Sequence, residues 1–364
     1  MSSNLTVLGG GNTAFALAAD LTLAGHSVRL AELPAMRDTI EPIRESRTIA
    51  LDGVAHTGEA RLAEVTTDID GAVDGADLVL LSVPAYAHRP FAEACAPHLK
   101  AGQVLALAPG TLGSLEFAKV FEEMGNREDV VLAEVDTSPY VCRKTGPDAA
   151  HIWGVVPRLG VGVRPASLTA QVHSLLSPLF PGLTAYRSVL DCGFSSMNPI
   201  MHPAGILMNA GRVEYSDGDF YFYKEGVTPG VARVILEVDR ERLAIGEALG
   251  LEILPVAEAF HNAGFGPAGD LETTITGSEM LTQLRAPGSL DTRWLLEDAP
   301  YGLVSWASIA EQIGVPTPTI RAVISLCSTL TGQDAWATGR LAEHLGLAGL
   351  NASEMVARAT GETT

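Results

Sequence analysis

The first thirty residues alternate between strand-like apolar runs and a segment of helical period. Residues 5–8 form a short apolar run that ends at Gly9, apolar positions recur with the spacing of an amphipathic helix after Gly11, and a second strand-like run ends at Glu32. Two strand-like runs joined by one helix in so short a stretch indicate a βαβ unit with parallel strands.

Strand-like and helix-like segments continue to alternate until residues 185–195. The runs at 77–84, 103–109 and 130–134 are almost continuously apolar, and a helical pattern over 115–124 precedes the last of them. Strands without polar alternation are typical of a parallel sheet that is covered on both faces.

Two stretches of this half have a different pattern. Residues 48–66 alternate apolar and polar positions around glycines, which predicts a small inserted hairpin. Short β-type segments punctuated by Gly and Pro over 141–163 predict that less regular strands extend the same sheet.

The pattern becomes helical beyond residue 195. Thr228-Pro229 and Thr317-Pro318 each place an N-cap residue before a proline at the first helical position. We therefore predict an α/β protein in which an N-terminal Rossmann domain, a doubly wound parallel sheet over residues 1–190, precedes an all-helical domain over 191–364. The tail after Asn351 is expected to fray.

The glycine turn after the first strand has the pattern of a dinucleotide site. In Gly9-x-Gly11-x-x-Ala14, the first glycine permits the tight turn, the second lets the backbone approach a pyrophosphate, and the alanine lets the helix pack closely. The free N–H groups of the helix start would face the phosphates. The alternative is a glycine turn between a strand and a helix with no ligand.

The acidic residue at the end of the second strand bears on the choice of cofactor. Glu32 lies 23 residues after Gly9, where a carboxylate can accept hydrogen bonds from the adenosine ribose and would repel a 2′-phosphate. We therefore expect NAD(H) rather than NADP(H), although Arg37 lies close enough in sequence to temper that preference.

Composition narrows the class of partner. The 364 residues carry a formal charge of −19, which argues against nucleic acid or an anionic membrane surface. No apolar run approaches the roughly 18 residues that span a bilayer, and the N-terminus lacks a basic signal region. The four cysteines have no C-x-x-C spacing, so we expect reduced thiols in a cytoplasmic protein and no metal site.

Two clusters in the C-terminal half carry groups suited to acid–base and carboxylate chemistry. The first contains His202 and Asn209, and imidazole suits acid–base work because it titrates near neutral pH. Taken alone, a histidine satisfied in the core is an equal alternative. Aromatic residues also gather over 215–223, where a helix or subunit contact is a commoner explanation than a substrate wall.

The second cluster lies over residues 291–298. Arg293 can hold a carboxylate through two parallel hydrogen bonds, and Asp298 can fix the tautomer of a histidine and stabilise its protonated form. Spacing alone does not choose between Glu297 and Asp298 for that role. Charges at this density more often form a solvated helix face.

At this point the residues carry a resemblance that spans the chain from Leu5 to about Leu350. The chain resembles the opine dehydrogenase family, and within it the bacterial N-(1-carboxyethyl)-norvaline dehydrogenase type. The order and spacing of the shared motifs make the match specific. These motifs are Val7-Leu-Gly-Gly-Gly-Asn12, Val83-Pro-Ala85, Pro109-Gly-Thr-Leu-Gly113, Asn198-x-x-Met-His202-Pro, Leu207-Met-Asn-Ala210, Glu225-Gly-Val-Thr-Pro229, Thr292-Arg293, Glu297-Asp298 and Gly302-Leu-Val304.

The resemblance implies a Rossmann domain and a helical domain that closes over a substrate cleft and commonly forms a homodimer. It implies reductive condensation of the α-amino group of an L-amino acid with a 2-oxo acid such as pyruvate, with a nicotinamide cofactor. His202 matches the catalytic histidine and Asp298 its acidic partner, while Arg293, Arg143 and Asn209 are the expected substrate-binding residues. The expected cofactor-binding residues are Gly9, Gly11, Asn12, Thr13, Ala14, Glu32, Val83, Pro84, Pro109 and Gly110.

One departure and two alternatives qualify this expectation. Related enzymes have aromatic or acidic residues after the Glu-Asp pair, where this chain has Ala-Pro-Tyr, so its side-chain specificity is expected to differ. A ketopantoate reductase or glycerol-3-phosphate dehydrogenase is the nearest alternative, but those enzymes use a lysine acid and Lys224 is the only lysine after residue 144. A non-catalytic NAD-binding sensor is the other alternative.

Overall fold

The structure is a computed structural model that describes residues 3–126 and 129–361. The chain divides into two compact units, Met1–Val189 and Leu190–Thr364. The first contains two β-sheets, and the second is helical. Among the described residues, no helix combines the length and the apolar content that crossing a membrane requires.

The described residues of the first unit form a main sheet of eight strands, six of which run parallel. Its strands are β1 (Asn4–Leu8), β2 (Ser27–Ala31), β5 (Glu64–Thr66), β6 (Leu78–Leu81), β7 (Val104–Leu107), β8 (Val131–Val135), β11 (Gly160–Arg164) and β12 (Thr184–Ala185). Their order is β12-β11-β8-β7-β6-β1-β2-β5, and β11 pairs antiparallel to β8. The strand order reverses at the β1/β6 pair, where a Rossmann sheet binds its ligand. The predicted parallel sheet is confirmed.

The helices of the first unit are α1 (Asn12–Leu23), α2 (Ile69–Val73), α3 (His88–Cys95), α4 (Gly113–Glu123) and α5 (Thr169–Leu176). Residues of α2, α3 and α4 form one buried apolar cluster with strands β6, β7 and β8, which includes Phe91, Phe117 and Leu107. The central strands β6, β7 and β8 are buried at every position, as the apolar sequence of β6 and β7 and the nearly apolar sequence of β8 predict.

A second sheet corrects the expectation for residues 141–163. Strands β3 (Thr48–Gly53), β4 (Gly58–Arg61), β9 (Tyr140–Gly146) and β10 (Ala149–Val155) form a separate sheet in the order β4-β3-β10-β9. The hairpin predicted over residues 48–66 is formed by β3 and β4, whereas residues 64–66 of that range are β5 and join the main sheet. However, β9 and β10 pair with that hairpin and do not extend the main sheet, because β3 offers its free edge to β10. Of the strands within residues 141–163, β11 is the one that joins the main sheet.

The second sheet also explains why α1 is not amphipathic as predicted. Every residue from Ala14 to Leu21 is buried, since α1 contacts β2 of the main sheet on one side and strands β3, β4, β9 and β10 on the other. Small alanines suit a helix that is packed on both sides. Its one buried carboxylate, Asp20, accepts hydrogen bonds from the Tyr140 hydroxyl at 2.6 Å and from the His56 ring at 2.9 Å.

The second unit is built from helices. They are α6 (Val189–Phe194), which starts at the boundary, α7 (Asn198–Met208), α8 (Ala210–Ser216), α9 (Pro229–Ala248), α10 (Val256–Asn262), α11 (Leu271–Thr276), α12 (Arg293–Leu296), α13 (Val304–Gln312), α14 (Pro318–Thr331), α15 (Ala335–Thr338) and α16 (Ala352–Thr360). Helices α7, α9 and α14 pack against one another.

Helix boundaries in this unit confirm two predictions and overturn one. Helices α9 and α14 begin at the prolines of the two Thr-Pro pairs, and Gly332 adopts the left-handed conformation that ends α14. The predicted fraying after Asn351 is wrong over residues 352–361, and residues 362–364 of that tail lie outside the described residues. Asn351 and Glu354 form a reciprocal capping box that starts α16, and Met355 and Ala359 are fully buried.

Candidate functional site

The first candidate site is the glycine turn between β1 and α1. Gly9 has φ of 120°, and a Cβ there would lie 2.7 Å from the Ser82 carbonyl oxygen and from Cγ1 of Val83. Gly11 caps α1 without a side-chain hydrogen bond, and a Cβ there would meet nothing within 4 Å. The turn therefore leaves open space over the helix N-terminus, and Gly11, Asn12 and Thr13 border it. These residues fit a dinucleotide pyrophosphate.

Glu32 follows β2 at the same edge of the sheet and is buried. Its Oε1 accepts the Leu33 N–H at 2.7 Å, and the carboxylate also accepts the N–H of Gly10. Burial raises the pKa of Glu32, and these two backbone donors lower it in part. The carboxylate is thus fixed beside the glycine turn, with acceptor positions to spare for hydroxyl groups.

Strand β9 crosses the start of α1. The Lys144 N–H donates to Oδ1 of Asn12 at 2.9 Å, and the Lys144 ammonium donates to the Thr39 carbonyl at 2.9 Å while it lies 3.4 Å from the centre of the Phe15 ring. Arg143, the predicted substrate contact, is exposed on this strand next to Lys144. Sequence reasoning missed Lys144, because only the second sheet brings β9 to the glycine turn.

The remaining predicted cofactor residues follow the next two strands of the sheet. Val83 and Pro84 follow β6 after Ser82, and the Val83 side chain packs against Gly9. Pro109 and Gly110 come after β7, and a Cβ at Gly110 would lie 2.2 Å from Cβ of Glu134. Glu134, which the sequence analysis did not single out, is fully buried and accepts the N–H groups of Leu112 and Ser114, both at 2.9 Å, at the start of α4.

The second candidate site centres on His202 in α7. Nδ1 of His202 lies 2.8 Å from Oδ2 of Asp298, and the two side chains are only 9% and 13% exposed. Burial raises the pKa of Asp298, and the hydrogen bond from His202 opposes that rise. When Asp298 is ionised it only accepts hydrogen bonds, and the Nδ1 proton then lies on the histidine. The structure therefore brings together the two residues predicted to be catalytic, and it chooses Asp298 over Glu297.

Two aromatic residues complete the surroundings of this histidine. The Tyr223 hydroxyl lies 3.2 Å from Nε2 of His202. The Trp294 ring stacks on the imidazole with a centroid distance of 4.1 Å and an interplanar angle of 4°. Phe222 in turn meets Trp294 edge to face at 4.8 Å. The imidazole is thus held at both nitrogens and on one face.

Both hydrogen-bond partners of His202 come from π-helical turns. Tyr223 lies in the turn Phe222–Gly226, and Asp298 starts the turn Asp298–Leu303. Two glycines let these turns approach α7, because a Cβ at Gly205 would lie 2.4 Å from Cζ of Phe222 and a Cβ at Gly302 would lie 2.4 Å from Cγ of Pro199. Single π-turns are frequent at functional sites because they re-aim side chains.

The other predicted site residues of the second unit have additional structural partners. Nε of Arg293 lies 2.5 Å from Oε2 of Glu297, and the Arg293 side chain is 56% exposed. The Asn209 amide donates to the carbonyls of Gly205 at 2.9 Å and Gly226 at 3.0 Å, and so joins the end of α7 to the first π-turn. The Arg293 side chain is thus more than half exposed, and Asn209 links two elements of the second unit.

Two neighbours of His202 were not predicted from the sequence. Trp294 stands next to the predicted Arg293, and Tyr223 lies in the aromatic group for which packing and a substrate wall were both considered. Neither the stacking nor the hydrogen bond has a periodic signal in the sequence, since the π-turn that aims Tyr223 is not a regular element.

Comparisons with known proteins decide the family. A family model described as NAD-dependent glycerol-3-phosphate dehydrogenase N-terminus matches residues 4–150, and one described as NAD/NADP octopine/nopaline dehydrogenase, alpha-helical domain, matches residues 185–331. Over 354 residues, 97% of this chain and 97% of the relative, the chain is 34% identical to the opine dehydrogenase of Arthrobacter sp. (strain 1C). The chain belongs to the opine dehydrogenase family.

Solved structures agree with the opine dehydrogenase fold. Octopine dehydrogenase in complex with NADH and agmatine matches with a TM-score of 0.81 at 20% identity, over 100% of this chain and 99% of that chain. NADP⁺-bound yersinopine dehydrogenase matches with a TM-score of 0.76 at 16% identity, over 99% and 98%. The resemblance drawn from the motifs is confirmed, and this opine dehydrogenase is an NAD(P)-dependent oxidoreductase with a Rossmann-like domain and a helical domain.

Proposed function

We propose that this opine dehydrogenase reductively condenses the α-amino group of an L-amino acid with a 2-oxo acid such as pyruvate, with NADH as reductant, and catalyses the reverse oxidation. The observation that supports this most directly is the buried His202–Asp298 pair at 2.8 Å, because an imidazole with one nitrogen held by a carboxylate is suited to general acid–base chemistry.

The cofactor is assigned to the glycine turn and the strand ends around it. Gly9, Gly11, Asn12, Thr13 and Ala14 would hold the pyrophosphate, and Val83, Pro84, Pro109 and Gly110 would border the rest of the dinucleotide. Glu32 would accept hydrogen bonds from the ribose hydroxyls, which favours NAD(H) over NADP(H). When bound, the nicotinamide supplies the hydride that reduces the carbon–nitrogen double bond.

His202 would supply the proton for the step before reduction. The amine adds to the 2-oxo acid to give a carbinolamine, which must lose water to become an imine. Protonation of its hydroxyl makes water the leaving group, while the nitrogen lone pair forms the new double bond and His202 becomes neutral. Asp298 stabilises the protonated imidazole and keeps it oriented.

The substrates explain why arginines belong in a chain of net charge −19. The product carries two carboxylates, and Arg293 and Arg143 are the groups assigned to bind them, with Asn209 as a further contact. We further propose that the enzyme is a cytoplasmic homodimer whose partners are small molecules, not nucleic acid or a membrane.

The test is NADH oxidation at 340 nm with pyruvate and a panel of single L-amino acids, each substrate also omitted in turn. Turnover that needs both substrates and is lost in His202→Asn supports the proposal. His261→Asn, a change of an exposed histidine in the same unit, is the matched control and is expected to retain activity.

Other outcomes separate the alternatives. Turnover with the 2-oxo acid alone would move the protein to simple keto-acid reduction, as in ketopantoate reductases. Binding of NADH without turnover for any pair of substrates would favour an NAD-binding sensor and overturn the proposal.

A further inference from the structure

The acid–base role of His202 does not by itself explain the hydrogen bond between its Nε2 and the Tyr223 hydroxyl. Asp298 occupies Nδ1, so Nε2 is the nitrogen left to act on a substrate. Nε2 instead lies 3.2 Å from the Tyr223 hydroxyl, and both side chains are buried. A substrate atom that needs the proton of His202 must either displace this hydroxyl or receive the proton through it.

We propose that Tyr223 is the proton-transferring residue of this site, and that it passes the proton of His202 to the substrate hydroxyl and returns it in the reverse reaction. This inference rests on the function proposed above and adds a catalytic residue to it. Three groups stand in series here, Asp298, His202 and Tyr223, with the imidazole between the carboxylate and the phenol.

The hydrogen-bond chemistry of a phenol suits this task. With neutral His202, the Tyr223 O–H donates to the lone pair of Nε2, and its own proton is engaged. With protonated His202, Nε2–H donates to the phenol oxygen, and the phenol proton turns outward. Protonation of the histidine therefore presents a hydrogen-bond donor to the substrate at the hydroxyl of Tyr223.

The transfer balances without any further reactant. The phenol O–H bond breaks as its proton moves to the carbinolamine hydroxyl, and the Nε2–H bond breaks as that proton moves to the phenol oxygen. Water leaves, the C=N bond forms from the nitrogen lone pair, and His202 ends neutral while the positive charge moves to the nitrogen of the protonated imine. Burial, with the nearby Asp298 charge, raises the pKa of Tyr223 far above neutral, so the phenol passes a proton without becoming a lasting anion.

The surroundings keep the series aligned. Trp294 stacks on the imidazole and so fixes the plane of the ring. Phe222 packs edge to face against Trp294. Phe222 and Tyr223 are consecutive and meet at 88°, so the segment that supports the stack also carries the phenol. If His202 contacted the substrate directly, the hydrogen bond between Nε2 and the Tyr223 hydroxyl would have to break.

The first experiment is Tyr223→Phe, which removes the hydroxyl and keeps the ring. We expect kcat to fall about 100-fold, in the range for loss of one general acid–base group, with an unchanged KM for NADH and an unchanged melting temperature. Tyr221→Phe, two residues away on a half-buried ring beside Arg285, is the matched control and is expected to stay within twofold of wild type. Activity of Tyr223→Phe within twofold of wild type would overturn the proposal.

A second readout separates proton transfer from structural support. Passage through Tyr223 moves two protons in the dehydration step, so the rate in mixed H₂O and D₂O should depend non-linearly on the deuterium fraction when that step limits turnover. Tyr223→Phe should lose this curvature. A wild-type rate that is linear in deuterium fraction, measured under conditions where dehydration limits the rate, would contradict two-proton transfer.

A third readout does not require turnover, and it keeps this inference distinct from the proposed function. The ¹⁵N chemical shift of Nε2 of His202 should change in Tyr223→Phe and stay constant in Tyr221→Phe. If no amino acid and 2-oxo acid react but this shift changes, the substrate assignment fails while the hydrogen bond stands. An unchanged shift would overturn the role of Tyr223 whatever the activity.

Discussion

The carboxylate beside His202 is expected to have a large effect on kcat. Asp298 faces Nδ1 at 2.8 Å, whereas its neighbour Glu297 pairs with Arg293. Asp298→Asn replaces a carboxylate, which only accepts hydrogen bonds, with an amide, which can also donate one. The amide therefore permits the imidazole tautomer that has no proton on Nδ1. We expect kcat to fall by about 10³- to 10⁴-fold, as for the equivalent change in a catalytic triad.

Steady-state kinetics of Asp298→Asn and Glu297→Gln check this expectation. Glu297→Gln, a matched carboxylate-to-amide change one residue away, should act on the KM for substrate through Arg293 and leave kcat less affected. If the two variants lost kcat equally, the specific role of Asp298 would be contradicted.

The buried carboxyl group of Glu32 should make the affinity for NAD⁺ depend on pH. Burial raises the pKa of Glu32 above the ordinary 4.5. As the pH falls through that raised pKa, the side chain takes up a proton and stops accepting from the ribose hydroxyls. The affinity for NAD⁺ should therefore weaken on acidification, and it should do so at a higher pH than for an ordinary glutamate.

Calorimetric titration of NAD⁺ between pH 4.5 and 8 measures this effect. Glu32→Gln should bind about ten- to a hundredfold more weakly at pH 7, the loss of a charge-assisted hydrogen bond, and should lack the acid transition. The exposed carboxyl in Glu45→Gln is the control. A wild-type affinity that does not change with pH would remove the ribose-binding role from Glu32.

At the scale of elements, the site depends on how closely the first π-turn approaches α7. A Cβ at Gly205 would lie 2.4 Å from Cζ of Phe222, and Phe222 supports Trp294 and adjoins Tyr223. Gly205→Ala should therefore push the π-turn away from His202. We expect a loss of about 1–3 kcal/mol in the free energy of unfolding, as for overpacking in a core, together with a lower kcat.

Gly211→Ala in α8 is the matched control for that change. A Cβ at Gly211 meets nothing within 4 Å, so the alanine gains only its helix propensity. Its free energy of unfolding should rise by about 0.5–1 kcal/mol with unchanged kcat. Chemical denaturation and kinetics of both variants check the pair, and equal stability changes of the same sign would show that the contact of Gly205 is unimportant.

The elements also show what a sequence can predict. Strands β6, β7 and β8 and the starts of α9 and α14 follow from apolar runs and Thr-Pro pairs, which are local signals. The second sheet does not, because its β3–β10 pairing joins segments about a hundred residues apart. The error at α16 is different in kind: Asn351 and Glu354 have the spacing of a capping box, and that signal was local and available.

In the candidate site, too, some residues could be predicted from the sequence and others could not. His202 and Asp298 were predicted from residue chemistry and the family resemblance, and the structure places them 2.8 Å apart across 96 positions of the chain. Tyr223, Trp294 and Lys144 were not assigned, since π-turns and inter-sheet contacts determine where these side chains point. The residues that carry the acid–base chemistry were thus easier to predict than the side chains that hold them in position.

At the scale of the whole molecule, one carboxyl of the first unit should make stability depend on pH. Asp136, directly after β8, accepts the Gly160 N–H at 3.0 Å and the Tyr186 hydroxyl at 2.8 Å. Burial outweighs these donors and raises the pKa of Asp136 to about 6, against an ordinary 3.8. The folded chain therefore holds this proton more tightly than the unfolded chain does.

The sign of the effect follows by linkage. The stabilisation from the bound proton is fully present below pH 3.8 and is lost as the pH rises through about 6. The difference corresponds to at most about 3 kcal/mol, an upper bound because Asp136 keeps part of its surface exposed. Asp136→Asn, which stays neutral and can still accept from Gly160, should match wild type near pH 4 and become the more stable protein by pH 7.

Urea unfolding of the two proteins from pH 4 to pH 8 measures the difference between their free energies of unfolding. The other acidic groups of this chain of net charge −19 are the same in both proteins, so their contributions cancel in the difference. The exposed carboxyl in Asp148→Asn provides the control, whose difference from wild type should be flat over the same range. A flat difference for Asp136→Asn as well would mean that Asp136 stays ionised as in water. The pH dependence of stability would then arise from the distributed surface charge.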